Sequence, residues 1–268
     1  MKFVEQFKNI MSHPLVRNEA ARMLDYGKND PLFMNYFGVN FDDQNVVSVK
    51  LYFSFFKKPT YECLKNLSFT QQQYDLIDTY WVPPNKYEFM HQGLTIGLKC
   101  YLKNDGCSIN HYFHFRSPQL TQHEPKLIHC SAEDNENTPG ICIENHGKKQ
   151  ELKHYYYLSS DSAKNEIVSK LGMPMAEAKK INLIEYTESD IESKVNLIYD
   201  QSKDIQDYFI HLKNPLIQEL NAYIFETYQL YFYGPGVRFN SATRAIYYVS
   251  KPTYYGLHQE QTIAELLK

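Results

Sequence analysis

Five times along this chain a pair of alternating apolar and polar stretches turns back on itself, with segments of helical spacing between most of the pairs. The alternation is strictest where Val47, Val49, Leu51, Phe53 and Phe55 share one parity and Ser48, Lys50, Tyr52 and Ser54 share the other. Successive side chains of an extended strand point to opposite faces, so this stretch describes a strand with one apolar and one polar face. Its hairpin spans Asn35 to Phe55. The second runs from Gly93 to Arg116 and turns at Asn104-Asp105-Gly106. The remaining three lie at Gly140 to Ser160, Ile181 to Asp200 and Tyr228 to Ser250.

Helical spacing fills most of the intervals. Phe3, Phe7, Ile10 and Met11 open a helix predicted to reach Asp25, divided at Pro14 with Ser12 as candidate cap of its second part. Further helices are predicted over Thr60 to Leu67, Gln71 to Trp81 and Asp161 to Gly172, with a short one at Met175 to Lys180. Asp204 to Thr227 is expected to be helical with an interruption near Pro215, and Gln259 to Leu267 closes the chain. Residues 117 to 139 are expected to be loop.

Hairpins so spaced form an internal repeat of roughly 40 to 60 residues. Ten antiparallel strands readily close on themselves, because closure leaves no edge strand unpaired. The expected fold class is α+β: a closed antiparallel ten-stranded β-barrel of five αββα-type repeats, helices outside, polar tyrosine-rich lumen. Residues 1–268 are read as one domain. The competing arrangement is two smaller open sheets divided near residue 130, which would leave the tyrosines on the surface.

Composition narrows the function classes. The net charge of −3 argues against a nucleic-acid partner, whose phosphates call for a basic surface. Apolar runs fall far short of the roughly 20 residues a membrane helix needs. Charges in MKFVEQFKN occupy the place of a signal peptide's apolar core, so the chain is read as cytoplasmic. Cys63, Cys100, Cys107, Cys130 and Cys142 contain no CxxC pair and are read as free thiols rather than a disulfide or zinc framework. His111 and His114, three apart on a strand, point to opposite faces and make no metal pair; no metal ligand is assigned. Tyrosines number 23 against 16 phenylalanines. A buried tyrosine brings an apolar ring and a hydroxyl that needs a partner, so the interior is expected to be both aromatic and polar.

An αββα unit repeated five times around a polar lumen resembles the ABBA, or PT-barrel, aromatic prenyltransferases. SVKLYFS (48–54) is similar to the VNLYFS strand of the family's bacterial members, and GLKCYL (97–102) to their GLKF strand. KVNLIYD (194–200) and TRAIYYVS (243–250) also fit family strands.

The resemblance implies transfer of an allylic isoprenoid group from its diphosphate to an aromatic small molecule, a peptide side chain or another nucleophilic acceptor. Cations hold the diphosphate as it leaves, and ring faces shield the allylic cation from water. It implies diphosphate ligands at Lys50, Lys99, Arg116, Lys153 and Arg244. It implies a tyrosine shield at Tyr52, Tyr101, Tyr112, Tyr155, Tyr157 and Tyr248. The Lys-x-Tyr pairs at 50/52, 99/101 and 153/155 carry this assignment best. Some family members bind Mg2+ with the diphosphate through an aspartate, and no aspartate here aligns with that role. Lys50→Ala and Lys153→Ala are expected to weaken diphosphate binding with little loss of stability. Glu144 and Glu185 lie on predicted strands with their direction open, so no proton acceptor is assigned. The alternative function is a non-catalytic barrel that binds an aromatic or anionic ligand.

Overall fold

The alternating stretch at 46–55 forms β2 (Val46–Phe55), one strand of a closed barrel. In the computed structural model, residues 2–26, 32–55, 58–81, 93–101, 106–114, 125–129, 140–146, 149–199, 214–228, 231–239 and 241–249 are described. The other strands are β1 (Leu32–Phe41), β3 (Gly93–Tyr101), β4 (Cys107–His114), β5 (Gly140–His146) and β6 (Lys149–Leu158). They continue with β7 (Ile181–Glu188), β8 (Ser193–Tyr199), β9 (Tyr231–Arg238) and β10 (Arg244–Val249). Every strand pairs antiparallel with its neighbours in sequence, and β1 pairs with β10 to complete the ring. Closure satisfies both edges of every strand, which two open sheets would not do.

Apolar faces turn outward. Val49, Leu51, Phe53, Leu94, Ile96, Leu98, Ile184, Leu197 and Ile246 are buried there in one continuous core with the helices. Phe3 packs on Phe41 with ring centroids 6.0 Å apart, and Phe7 on Phe37 at the same spacing. This inverts the usual small barrel, whose core is its interior.

The helices follow local signals. Pro14 begins the helix Pro14–Tyr26, a position where its missing N–H costs nothing. The side chain that caps this helix is His13, whose Nδ1 accepts from the Leu15 N–H at 3.3 Å; Ser12 instead donates back to Asn9. Thr70 and Gln73 form a reciprocal capping box for the helix Gln71–Tyr80. Pro215 likewise opens the helix Pro215–Tyr228. No helix among the described residues is long and apolar enough to cross a membrane. The expected helix at 259–267, and the loop at 117–139 apart from 125–129, lie outside the described residues.

Candidate functional site

Register decides which side chains meet inside the ring. Lys50 on β2 lies opposite Lys99 on β3, while Asn110 on β4 lies opposite Glu144 on β5. Cys142 faces Lys153, Glu185 faces Asn196, and Lys194 faces Arg238. All of these positions share the inward parity, so ten strands deliver lysine, arginine, glutamate and tyrosine to one lumen.

Glu144 is its electrostatic centre. Its carboxylate, 3 % exposed, receives Lys99 Nζ at 2.8 Å on Oε1 and Lys153 Nζ at 2.9 Å on Oε2. Lys50 Nζ stands 4.0 Å from Oε1 and also donates to the Tyr112 hydroxyl. Lys153 reaches Glu192 at 2.7 Å and Glu151 at 3.5 Å, and Arg238 Nε holds the other Glu192 oxygen at 2.8 Å. Burial alone would raise the Glu144 pKa, but Lys50, Lys153 and Lys99 outweigh it and hold the group well below the usual carboxylate range. Burial draws Lys50 down to about 8, with Glu144 opposing.

Beside the charges runs an arc of rings. Tyr247, Tyr52, Tyr112 and Tyr155 follow one another with centroids 6.2, 5.7 and 6.0 Å apart. Lys50 Nζ lies 4.9 Å from the Tyr112 ring centre, and Lys194 Nζ 4.6 Å from that of Tyr247. Burial raises the phenol pKa of Tyr112, Tyr155 and Tyr247, so these phenols are neutral at physiological pH, and the Tyr112 and Tyr247 hydroxyls accept from Lys50 and Lys194. Glu185 accepts from Tyr157 at 3.3 Å and from the Asn196 amide.

Glycines give the rings their room. A Cβ on Gly97 would stand 2.9 Å from Tyr112 Cε2 and 3.0 Å from Lys50 Cε. On Gly38 it would meet the Tyr247 ring at 2.8 Å. Gly97→Ala should therefore displace Tyr112 and Lys50 together, costing about 1–3 kcal/mol as an overpacking change. Urea unfolding checks the cost, and an unchanged midpoint would show that the ring has space to yield.

Most of the residues expected in the lumen are there. Lys50, Lys99, Lys153, Tyr52, Tyr112 and Tyr155 line the central cavity, and Tyr157 reaches it through Glu185. Tyr101 shares the parity of Lys99, its ring centre 5.1 Å from that amine, but it lines a separate small cavity against the N-terminal helix. Arg116 lies outside the described residues.

Arg244 and Tyr248 require correction: both sit on the outward face of β10. Arg244 is opposite Phe41 and Val237, and Tyr248 stacks on Phe37 at 4.9 Å and donates to Asn221 at 2.6 Å. Their inward neighbours are Ala245 and Tyr247. RAIYYV places a tyrosine on each parity, and a register shift against β9 falls between Tyr247 and Tyr248, so alternation could not choose the face. His111 is likewise outward, stacked on Phe69 at 3.8 Å and lowered by burial to about 4.

The expectation of small stability losses at Lys153 also changes. Alanine there would remove one cation from buried Glu144 and one from half-buried Glu192, which costs more than trimming a solvated lysine. Sequence reading missed Glu192, Arg238 and Tyr247. Glu192 precedes β8 and so has no strand parity to read, and Gly234-Pro235-Gly236 interrupts the alternation ahead of Arg238. Among the described residues, no three His, Cys, Asp or Glu side chains are grouped to hold a metal ion. Among the described residues, Glu144 and Glu192 are paired with lysine and arginine.

No protein-family model and no curated protein sequence matches the chain. Among solved structures, the chain is similar to the crystal structure of AnaPT from Neosartorya fischeri. The superposition has a TM-score of 0.52 at 10% identity and covers 84% of this chain and 80% of that one. At that identity the likeness establishes the barrel fold.

Proposed function

We propose that this barrel is a prenyltransferase that moves an allylic isoprenoid group from its diphosphate to an aromatic or other nucleophilic acceptor. The observation that carries the reading is the convergence of Lys50, Lys99 and Lys153 on one carboxylate, within 4.0 Å, beside the tyrosine arc. Cations focused on a single anionic seat are what a departing diphosphate requires. In the reaction the allylic C–O bond breaks, its electron pair leaves with the diphosphate, and the acceptor bonds the allylic carbon. Tyr52, Tyr112, Tyr155 and Tyr247 present ring faces to the cationic carbon and exclude water. Glu185 lines the same lumen and burial raises its pKa, which supports it as the group that takes the acceptor's proton.

A second reading has its own support. The seat between the lysines holds Glu144, and the lumen leaves about 50 Å³ for the centres of water molecules, room for a few waters. A non-catalytic barrel that binds an anionic or aromatic ligand fits that filling equally well. Thermal shifts with dimethylallyl, geranyl and farnesyl thiodiphosphates, followed by turnover of the matching diphosphate with phenolic, indole and peptide acceptors, separate the two. A shift dependent on chain length, with product, supports transfer; a shift without product supports the binding barrel; no shift removes both diphosphate readings.

The pH dependence follows from Lys50. Below about pH 8 its ammonium is charged and holds the anion; above that it is neutral. Thiodiphosphate affinity should fall as pH rises through 8. Folding stability from the same group should move the other way. Its folded pKa lies below the unfolded value of about 10.4, so stability increases between the two. Affinity that stays flat to pH 9.5 would remove Lys50 from the anion site.

A further inference from the structure

At the end of the β3–β4 hairpin, Cys100 and Cys107 are directly opposite each other with their sulfurs 3.1 Å apart, both as free thiols. The next pair toward the turn, Tyr101 and Gly106, exchanges a backbone bond, Tyr101 N–H to Gly106 O at 3.1 Å. In an antiparallel ladder hydrogen-bonded and non-hydrogen-bonded pairs alternate, so Cys100 and Cys107 occupy a non-hydrogen-bonded pair. Cα atoms of such a pair stand about 4.5 Å apart, within the span a disulfide bridges.

Access comes from one side. Cys100 is 1% exposed, whereas Cys107 is half-buried and opens onto a cavity of about 110 Å³ between the hairpin and the N-terminal helices. Asn9, Ile10, His13 and Tyr101 form its other walls. We propose that Cys100 and Cys107 are a reversible dithiol–disulfide modification site, with Cys107 the thiol that meets a hydroperoxide.

The thiol chemistry runs in that order. The hydrogen bond shared by the two sulfurs lowers the Cys107 pKa and raises that of Cys100, while burial and the nearby Glu19 act against ionisation of Cys107. The thiolate is the nucleophile, so Cys107 is the reacting sulfur. It attacks the peroxide O–O bond, takes one oxygen as sulfenic acid and releases water or an alcohol. Cys100 then displaces that oxygen as water and forms the S–S bond. Two thiols lose two electrons and two protons in all, and the peroxide is reduced.

The bridge would fix the end of the strand that carries Lys99 into the lumen, just beyond which Tyr101 lies against that lysine. This inference stands apart from prenyl transfer, since it rests on the outward face of the hairpin.

The experiment is peroxide treatment of the folded full-length protein, alkylation, digestion and mass spectrometry. The expected result is a Cys100–Cys107 linked product two hydrogens lighter, reversed by dithiothreitol. In Cys100→Ser, Cys107 should persist as a sulfenic acid trapped by dimedone; in Cys107→Ser, Cys100 should gain no label. Thermal unfolding of each serine variant confirms that it is folded. Complete alkylation of both thiols after peroxide, or a bridge from either one to another cysteine, overturns the assignment.

Discussion

Glu144→Gln is expected to lower folding stability by about 3–5 kcal/mol, the range for leaving buried charges without their partner. Glutamine keeps the shape of the side chain but removes the charge that Lys50, Lys99 and Lys153 share. Burial opposes the ammonium form of each lysine; Glu144 outweighs it at Lys99 and Lys153, whose pKa values are raised, and only partly offsets it at Lys50, so without Glu144 all three should fall. The deficit should therefore be smaller at alkaline than at neutral pH, because neutral amines need no counter-charge. Inorganic pyrophosphate should restore part of it by supplying the lysines with the counter-charge that glutamine lacks, a mass-action gain available only to the folded barrel. Urea titrations at two pH values, with and without pyrophosphate, read all three effects. A neutral or stabilising substitution would mean that the lysines do not depend on this carboxylate.

Phe7→Ala should cost about 3–5 kcal/mol for a different reason, the loss of buried ring surface together with the cavity left behind. Phe7 is fully buried on the helix Lys2–Ser12 and touches both the barrel and a second helix, through Phe37 at 6.0 Å and Tyr223 at 6.4 Å. Its neighbours are rings that cannot collapse far into the gap. The change lies on the outside of the sheet, so thiodiphosphate affinity measured below the melting transition should be unaltered. Calorimetry and a binding titration on the same preparation test the separation. A loss of affinity equal to that at a lumen residue would show that the outer shell sets the lumen geometry.

The two substitutions mark the division of labour across the barrel wall. Outward faces supply apolar burial, and inward faces carry charge whose cost is met only by mutual pairing. Acid exposes the inner layer. Burial alone would raise the Glu192 pKa, but Lys153 and Arg238 outweigh it and hold it at about 2. Its stabilising contribution is present above the ordinary carboxylate range and is lost as pH falls toward that value.

The sequence by itself determined the strands and their two-faced character, and it favoured the closure of ten of them over two open sheets, which the β1–β10 pairing decides. Each follows from a period of two residues read within single segments, such as Val47 to Phe55, and from the cost of leaving strand edges unpaired. It also placed Lys50, Lys99, Lys153, Tyr52, Tyr112 and Tyr155 on the inward face, from strand parity and the Lys-x-Tyr pairs that recur at 50/52 and 153/155. Only the tertiary structure decided that Tyr247 rather than Tyr248 faces inward, where both parities of β10 carry a tyrosine. It alone brought Glu144 from β5 between lysines of β2, β3 and β6, with Glu192 and Arg238 behind them. Periodicity is local and records which face a side chain takes, whereas the charges it meets across a lumen depend on how the ring closes and on the register of every pair around it.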